Sequence, residues 1–259
     1  MRIARGSAAA IALVLVLAGL AACGESSTAS APPTPIPTRT PFPTPSPTFT
    51  LPSHAVTFTT SDHVQLAGTL YGQGKTFVIF SNQTDTIASS WTAIAQQFAA
   101  RGYAALCYDY RGRGNSQGTR SLGPSLMTDL RAAVAFAQRQ GAQRIMLVGA
   151  SIGGAVTANV AASTSVAAVA IISAPSDFPQ VEVSDATMAS ISAPKLLMDS
   201  QSDVYAQAVQ AMYDAAHPPK DLQMYPGADH GLDLLTGTYG TQAMQRLLAF
   251  AQQYAPAIS

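Results

Sequence analysis

Charge is scarce in this chain. Lys, Arg, Asp and Glu together make up 11% of its 259 residues, well under the quarter or so of an ordinary soluble protein. What charge there is balances, 14 basic against 14 acidic residues, so the basic surplus of a nucleic-acid binder is missing. Cysteine is scarcer still. Cys23 and Cys107 are the only two, which excludes a disulfide framework. No two histidines or cysteines stand at metal-ligand spacing, and no cofactor motif is present. No apolar run reaches the roughly 20 residues that a bilayer-spanning helix needs. Internal repeats are absent too. What is left is length enough for one large domain or two small ones around a substantial core.

The first residues account for part of this composition. Arg2 and Arg5 precede 15 residues, Ala8 to Ala22, without a charged or polar side chain. That is short for a span and suits a secretory h-region. The run ends Leu20-Ala21-Ala22-Cys23-Gly24, which resembles the lipobox of bacterial lipoproteins. The resemblance implies a signal peptide over residues 1–22, lipidation of Cys23, and an exported protein anchored on the extracytoplasmic side of the cell envelope. Several acyl chains would hold it stably, where one alone is marginal. The competing reading is an uncleaved signal anchor with an incidental cysteine. Residues 23–53 form a second island, with nine of the chain's 17 prolines between Pro32 and Pro52, interleaved with six threonines. Each proline fixes φ and lacks an N–H, so a semi-extended polyproline-II spacer is expected.

From residue 54 to 259 the pattern alternates. Val56–Thr60 and Gln65–Tyr71 flank a Ser61-Asp62-His63 turn and read as a hairpin. Apolar runs typical of buried parallel strands follow at Thr76–Phe80, Ala104–Tyr108, Arg144–Val148, Val166–Ile172, Lys195–Met198 and Asp221–Tyr225. Amphipathic stretches separate them at Trp91–Arg101, Leu126–Gln140, Gly153–Ala162 and Tyr205–Ala216, with a last helix near Thr241–Tyr254. Alternation of this kind predicts an α/β domain, its parallel sheet covered on both faces.

The chemistry centres on Gly149-Ala150-Ser151-Ile152-Gly153. A serine in a sharp strand-to-helix turn needs glycines two residues either side, because side chains there would collide with the flanking elements. Such a turn exposes the Ser151 hydroxyl and aims the Ile152 N–H at a developing oxyanion. The pentapeptide lacks the spacing and the Lys-Ser/Thr ending of a phosphate loop. A serine alcohol needs a base to take its proton. Among four histidines, His54, His63 and His217 read as solvated loop residues, while His230 follows the last strand, where parallel sheets build their sites. A carboxylate must then hold the imidazole. Asp199 and Asp203 compete. Asp199 sits so close to its strand that the pleat sets its direction, whereas Asp203 lies far enough out to reach across to His230.

Taken together, residues 54–259 resemble an α/β-hydrolase. Arg101-Gly102-Tyr103 leading to Asp109-Tyr110-Arg111-Gly112-Arg113-Gly114-Asn115-Ser116 is similar to that family's helix-strand-loop signature. Met198 to Asp203 resembles its acid loop, and Tyr225 to Gly231 its histidine loop. The resemblance implies the α/β-hydrolase fold and a triad of Ser151, Asp203 and His230, with Asp109 and Arg111 fixing a loop. One departure stands out. Where the family usually carries His-Gly, this chain has Ser81-Asn82-Gln83. Asparagine tolerates left-handed backbone, so Asn82 is expected in the glycine's place, with the Gln83 N–H, or Thr84 after a one-residue shift, completing the oxyanion hole with Ile152. Only about 20 residues, Ala174 to Pro194, occupy the position of the family's cap, too few for a full one. An open, shallow site is expected unless the hairpin or residues 83–90 cover it.

The function that follows is hydrolysis of small-molecule carboxylic esters through an acyl-enzyme, with the membrane as partner through the lipid anchor, and neither nucleic acid nor cofactor involved. A peptidase, thioesterase or acyltransferase would use the same residues, and a non-catalytic binding module would keep the same fold. Cys107, in an apolar run, reads as a core residue.

Overall fold

The computed structural model describes residues 52–258. The expected export signal, Cys23 and nearly all of the Pro/Thr-rich stretch lie outside the described residues. The chain enters through an antiparallel hairpin, β1 (Ser53–Thr59) with β2 (Gln65–Tyr71), paired from Ser53–Tyr71 to Thr59–Gln65. His54, expected in a loop, is therefore on a strand, where it remains exposed. β3 (Thr76–Ser81) leads through a short helical turn into α1 (Thr92–Ala99) and β4 (Ala104–Tyr108). Next come α2 (Ser125–Arg139), β5 (Arg144–Ala150), α3 (Ile152–Ala161) and β6 (Ala168–Ile172). The chain closes with α4 (Asp185–Ser190), β7 (Lys195–Ser200), α5 (Ala206–Ala215), β8 (Lys220–Tyr225), α6 (Asp233–Thr236) and α7 (Gly240–Tyr254).

The eight strands form one sheet in the order β1-β2-β4-β3-β5-β6-β7-β8. β2 is antiparallel to β4, and every pair from β4 to β8 is parallel. β3 to β7 are buried almost throughout because both faces are covered, and the pleat deals alternate residues to opposite layers, while the edge strand β8, with Lys220, Asp221 and Gln223, is mostly half-buried. Phe77, Ile79 and Leu147 pack with Leu130 and Val134 of α2 and Val156 of α3. Val78, Phe80, Met146 and Val148 pack on the other face with Phe98 of α1 and Leu247 of α7. Burying each such large side chain is worth roughly 1.5–3 kcal/mol.

This order contains a reversal. From β3 the chain crosses to β4 on one side, and β5 returns on the other side of β3. The loops after β3 and β5 therefore diverge at the carboxyl edge of the sheet and leave a crevice, the usual place for a ligand in open α/β sheets. The loop after β4 is held nearby. Asp109 accepts the N–H groups of Ala88 and Asn115, at 2.8 and 2.9 Å. Arg111 grips the buried Asp129 of α2 and the hairpin's Asp62, with N···O distances of 2.6–3.0 Å. Its guanidinium holds the Asp62 carboxyl well below the usual carboxylate range. Both residues thus tie loops together and line no part of the crevice.

Candidate active site

At the end of β5 the strand becomes helix α3 within a single residue. That residue is Ser151, with φ 55° and ψ −127°. A positive φ is rare for a side-chain-bearing residue and costs of order 1–3 kcal/mol. Surrounding contacts hold it there: Ser151 N–H donates to Ile172 O at 2.8 Å, and its carbonyl accepts from Gly154 N at 2.8 Å. The flanking glycines answer to crowding. A Cβ on Gly149 would run into the Gly153 carbonyl, and one on Gly153 into the carbonyls of Ser81 and Asn82. Ile152 is the first residue of α3, so its N–H has no partner within the helix and points out of the helix start.

On the far side of the crevice, His230 Nδ1 lies 2.8 Å from Asp203 Oδ2. The other Asp203 oxygen accepts the Tyr205 N–H at 2.7 Å. The Asp203 turn is pinned in turn: Gln201 N donates to Tyr225 O and Ser202 N to Gly227 O. The Asp203 side chain is 3% exposed and that of His230 32%, so the carboxylate is dry while the imidazole reaches solvent. Tyr205 flanks the imidazole, with ring centroids 5.6 Å apart. Ser151, Asp203 and His230 line one open cavity of about 670 Å³, together with residues 83–85, 202–205 and Asp233. No hydrogen bond joins Ser151 to His230, a contact that often tightens only with substrate in place. Among the described residues, the segment from Ala174 to Pro194 contributes one six-residue helix, α4, and no cap.

The loop after β3 differs from expectation. Asn82 does not adopt left-handed backbone: among the described residues, the positive-φ positions outside glycine are His63, Ser151, Ser173 and Gln180. Asn82 is instead fully buried, and its Nδ2 donates to Tyr108 O at 2.7 Å, tying the end of β3 to the end of β4. The asparagine serves through its amide rather than through a permissive backbone. Gln83 lines the cavity, but its N–H donates to Thr86 Oγ1 at 2.9 Å. Its side-chain Oε1 accepts the Leu232 N–H at 2.6 Å and so braces the loop that carries His230. That brace spans 149 positions of sequence, and nothing in the local pattern announces it.

Asp199, the rival carboxylate, does not touch His230. It is fully buried at the end of β7, its Oδ1 accepting the N–H of Ser200 at 2.8 Å. Burial, followed by the nearby Asp203 charge, raises its pKa to about 6. Cys107 is buried in β4, and burial pushes its thiol well above the ordinary range, which suits a core residue and not a nucleophile.

Comparison with known proteins agrees with this architecture. The family model described as serine aminopeptidase, S33, matches residues 75–188, which include the Ser151 turn. An esterase of Pyrococcus furiosus superposes with a TM-score of 0.69 at 19% identity, over 79% of this chain and 93% of its own. The esterase domain of a Rhodothermus marinus protein gives 0.64 at 25% identity, over 78% and 99%. A dienelactone hydrolase of Anabaena variabilis gives 0.66 at 19% identity, over 79% and 99%. Among curated proteins, none matches in sequence. Sheet order, the sharp turn after β5 and these likenesses lead to one assignment: the chain has the α/β-hydrolase fold.

Proposed function

We propose that the protein is a serine hydrolase that cleaves carboxylic esters through an acyl-enzyme. The observation that carries this reading is the Asp203–His230 contact of 2.8 Å in the cavity that Ser151 lines from a strained turn. With its Nδ1–H held by Asp203, the neutral imidazole keeps Nε2 free to accept a proton. His230 takes the Ser151 proton as Oγ attacks the ester carbonyl, and the charge collects on the carbonyl oxygen. The Ile152 N–H stabilises that oxyanion, joined by the Gln83 N–H once it turns from Thr86 Oγ1. The imidazolium then protonates the leaving alcohol. Water, deprotonated by His230, attacks the acyl-serine and releases the acid, restoring the Ser151 hydroxyl. The open cavity and the lack of a cap favour short acyl groups or esters presented on a larger surface.

The expected outcome is turnover of short p-nitrophenyl esters in preference to long ones, reduced about 10⁴-fold or more in Ser151→Ala. Turnover that survives this substitution would remove the reading. The matched family model is named for an aminopeptidase, so amide cleavage is the second reading, and aminoacyl p-nitroanilides assayed beside the esters decide between them.

We further propose, from the Leu20-Ala21-Ala22-Cys23 sequence alone, that Cys23 carries a lipid anchor and that the Pro/Thr-rich residues space the domain from the outer face of a membrane. Labelling with radioactive palmitate should be lost in Cys23→Ser. Equal labelling of both forms would contradict the anchor.

A further inference from the structure

Asp199 is a buried carboxylate that the proposed chemistry leaves unused. Its Oδ2 has no hydrogen-bond partner. β6 and β7 pair Ile172 with Met198, and Ser173 N donates to Met198 O, so Ser173 stands beside Asp199 at the sheet edge, next to the Ser151 turn. Ser173 is also held at a positive φ, 47°, and its hydroxyl is buried without meeting hydrogen-bond geometry. On the other side, β8 brings Met224 into register. The charged groups that act on Asp199 are Asp203, four residues on, and His230. Neither Ser173 nor Met224 titrates near neutrality. A buried carboxylate with one oxygen left unpartnered is a cost to the fold, and folds carry such features where function needs them.

We propose that Asp199 is a positioning residue for His230, a second carboxylate whose negative charge adds to that of Asp203 in favouring the imidazolium. This rests on the serine hydrolase reading above. As the Ser151 proton passes to Nε2 of His230, positive charge appears on the ring. Asp203 holds Nδ1–H directly, and Asp199 acts through the field without receiving a proton. A negative charge in a poorly solvated site favours a nearby cation. Asp199 contributes only when ionised. With its own pKa raised to about 6 by burial and by Asp203, it loses that charge as the pH falls through that value. The acid limb of activity is then a property of the coupled pair.

The test compares kcat and KM from pH 4 to 9 for the full chain and for Asp199→Asn, with fluorophosphonate labelling of Ser151 as control. The expected variant has KM unchanged, a plateau kcat lower by about 3- to 10-fold, and an acid limb that is a single ionisation shifted to lower pH by about half a unit. A plain packing role would not move the limb. Stability gives a second readout, because the folded pKa lies above the unfolded value. Native stability should fall as pH rises from about 4 to 6 in the wild type. Asp199→Asn should remove that fall and raise Tm at pH 7.5. Superposable pH–rate profiles would overturn the proposal, as would complete loss of activity at every pH in a folded variant, which would make Asp199 the required acid. If Ser151 of the wild type takes no phosphonate, the hydrolase reading itself fails. Labelling with unchanged profiles removes only the role of Asp199.

Discussion

The loops that follow β5 and β3 face each other across the crevice, and they are built by opposite means. After β5, geometry is enforced by backbone. Ser151 is held at φ 55°, glycines on either side leave room, and the helix start supplies N–H groups without help from any side chain. After β3, side chains do the holding. Asn82 reaches Tyr108 O, Thr86 caps the Gln83 N–H, and the Gln83 amide crosses to Leu232. A backbone-built site is rigid and unforgiving, since one added Cβ has nowhere to go. A site built by side chains degrades by single hydrogen bonds, each worth about 1–3 kcal/mol when a buried partner is left unsatisfied.

Two substitutions would break or sharpen that contrast. Gly153→Ala acts at the seam between the loops, since its Cβ would meet the carbonyls of Ser81 and Asn82. It should cut kcat/KM by roughly 100-fold or more and lower Tm by several degrees, a loss of about 2–4 kcal/mol. Near-normal activity and Tm would show that the two loops can separate cheaply, contrary to this account. Gln83→Ala should do less. It strips the brace from Leu232 N and loosens the His230 loop, so about a 10-fold fall in kcat is expected, with KM nearly unchanged. If Gln83→Ala proved as damaging as Gly153→Ala, the side-chain-built loop would be the more rigid of the two.

The same contrast explains what could be read before any coordinates. The turn around Ser151 is legible because its requirement is local: glycine at fixed offsets between an apolar strand and an alanine-rich helix. The approach of Asp203 to His230 is legible for a related reason, since both follow strands whose carboxyl ends must lie on one edge of a parallel sheet. The buried parallel strands announce themselves as unbroken apolar runs. Asn82 and Gln83 do not announce their work, because an amide's partner depends on residues 26 and 149 positions away. The composition of Ser81-Asn82-Gln83 thus suggests a backbone explanation where the structure uses a side chain. The helices α4 and α6, six and four residues long, are too short for a 3.6-residue period to show. The burial of Asp199 follows from its place within β7, while the unpartnered state of its Oδ2 is a property of packing alone.

The sparse charge noted at the outset also finds a place. Eleven basic and 13 acidic residues fall at or beyond residue 54, and several of these are spent on fixing loops, as in the Asp62–Arg111–Asp129 group. None of the residues lining the cavity is Lys or Arg. The imidazolium proposed to form during turnover would therefore be the cation of that cavity, stabilised by Asp203 and, on the present proposal, by Asp199.

The central claim, that Ser151 is a nucleophile activated by His230, is tested most directly by locating a covalent adduct. The purified protein is treated with a fluorophosphonate, digested and mapped by mass spectrometry. One phosphonate on the peptide containing Ser151, and none after the same treatment of a folded His230→Ala variant, is the result expected. An adduct on another residue, or no adduct from a protein that still turns over esters, would contradict it.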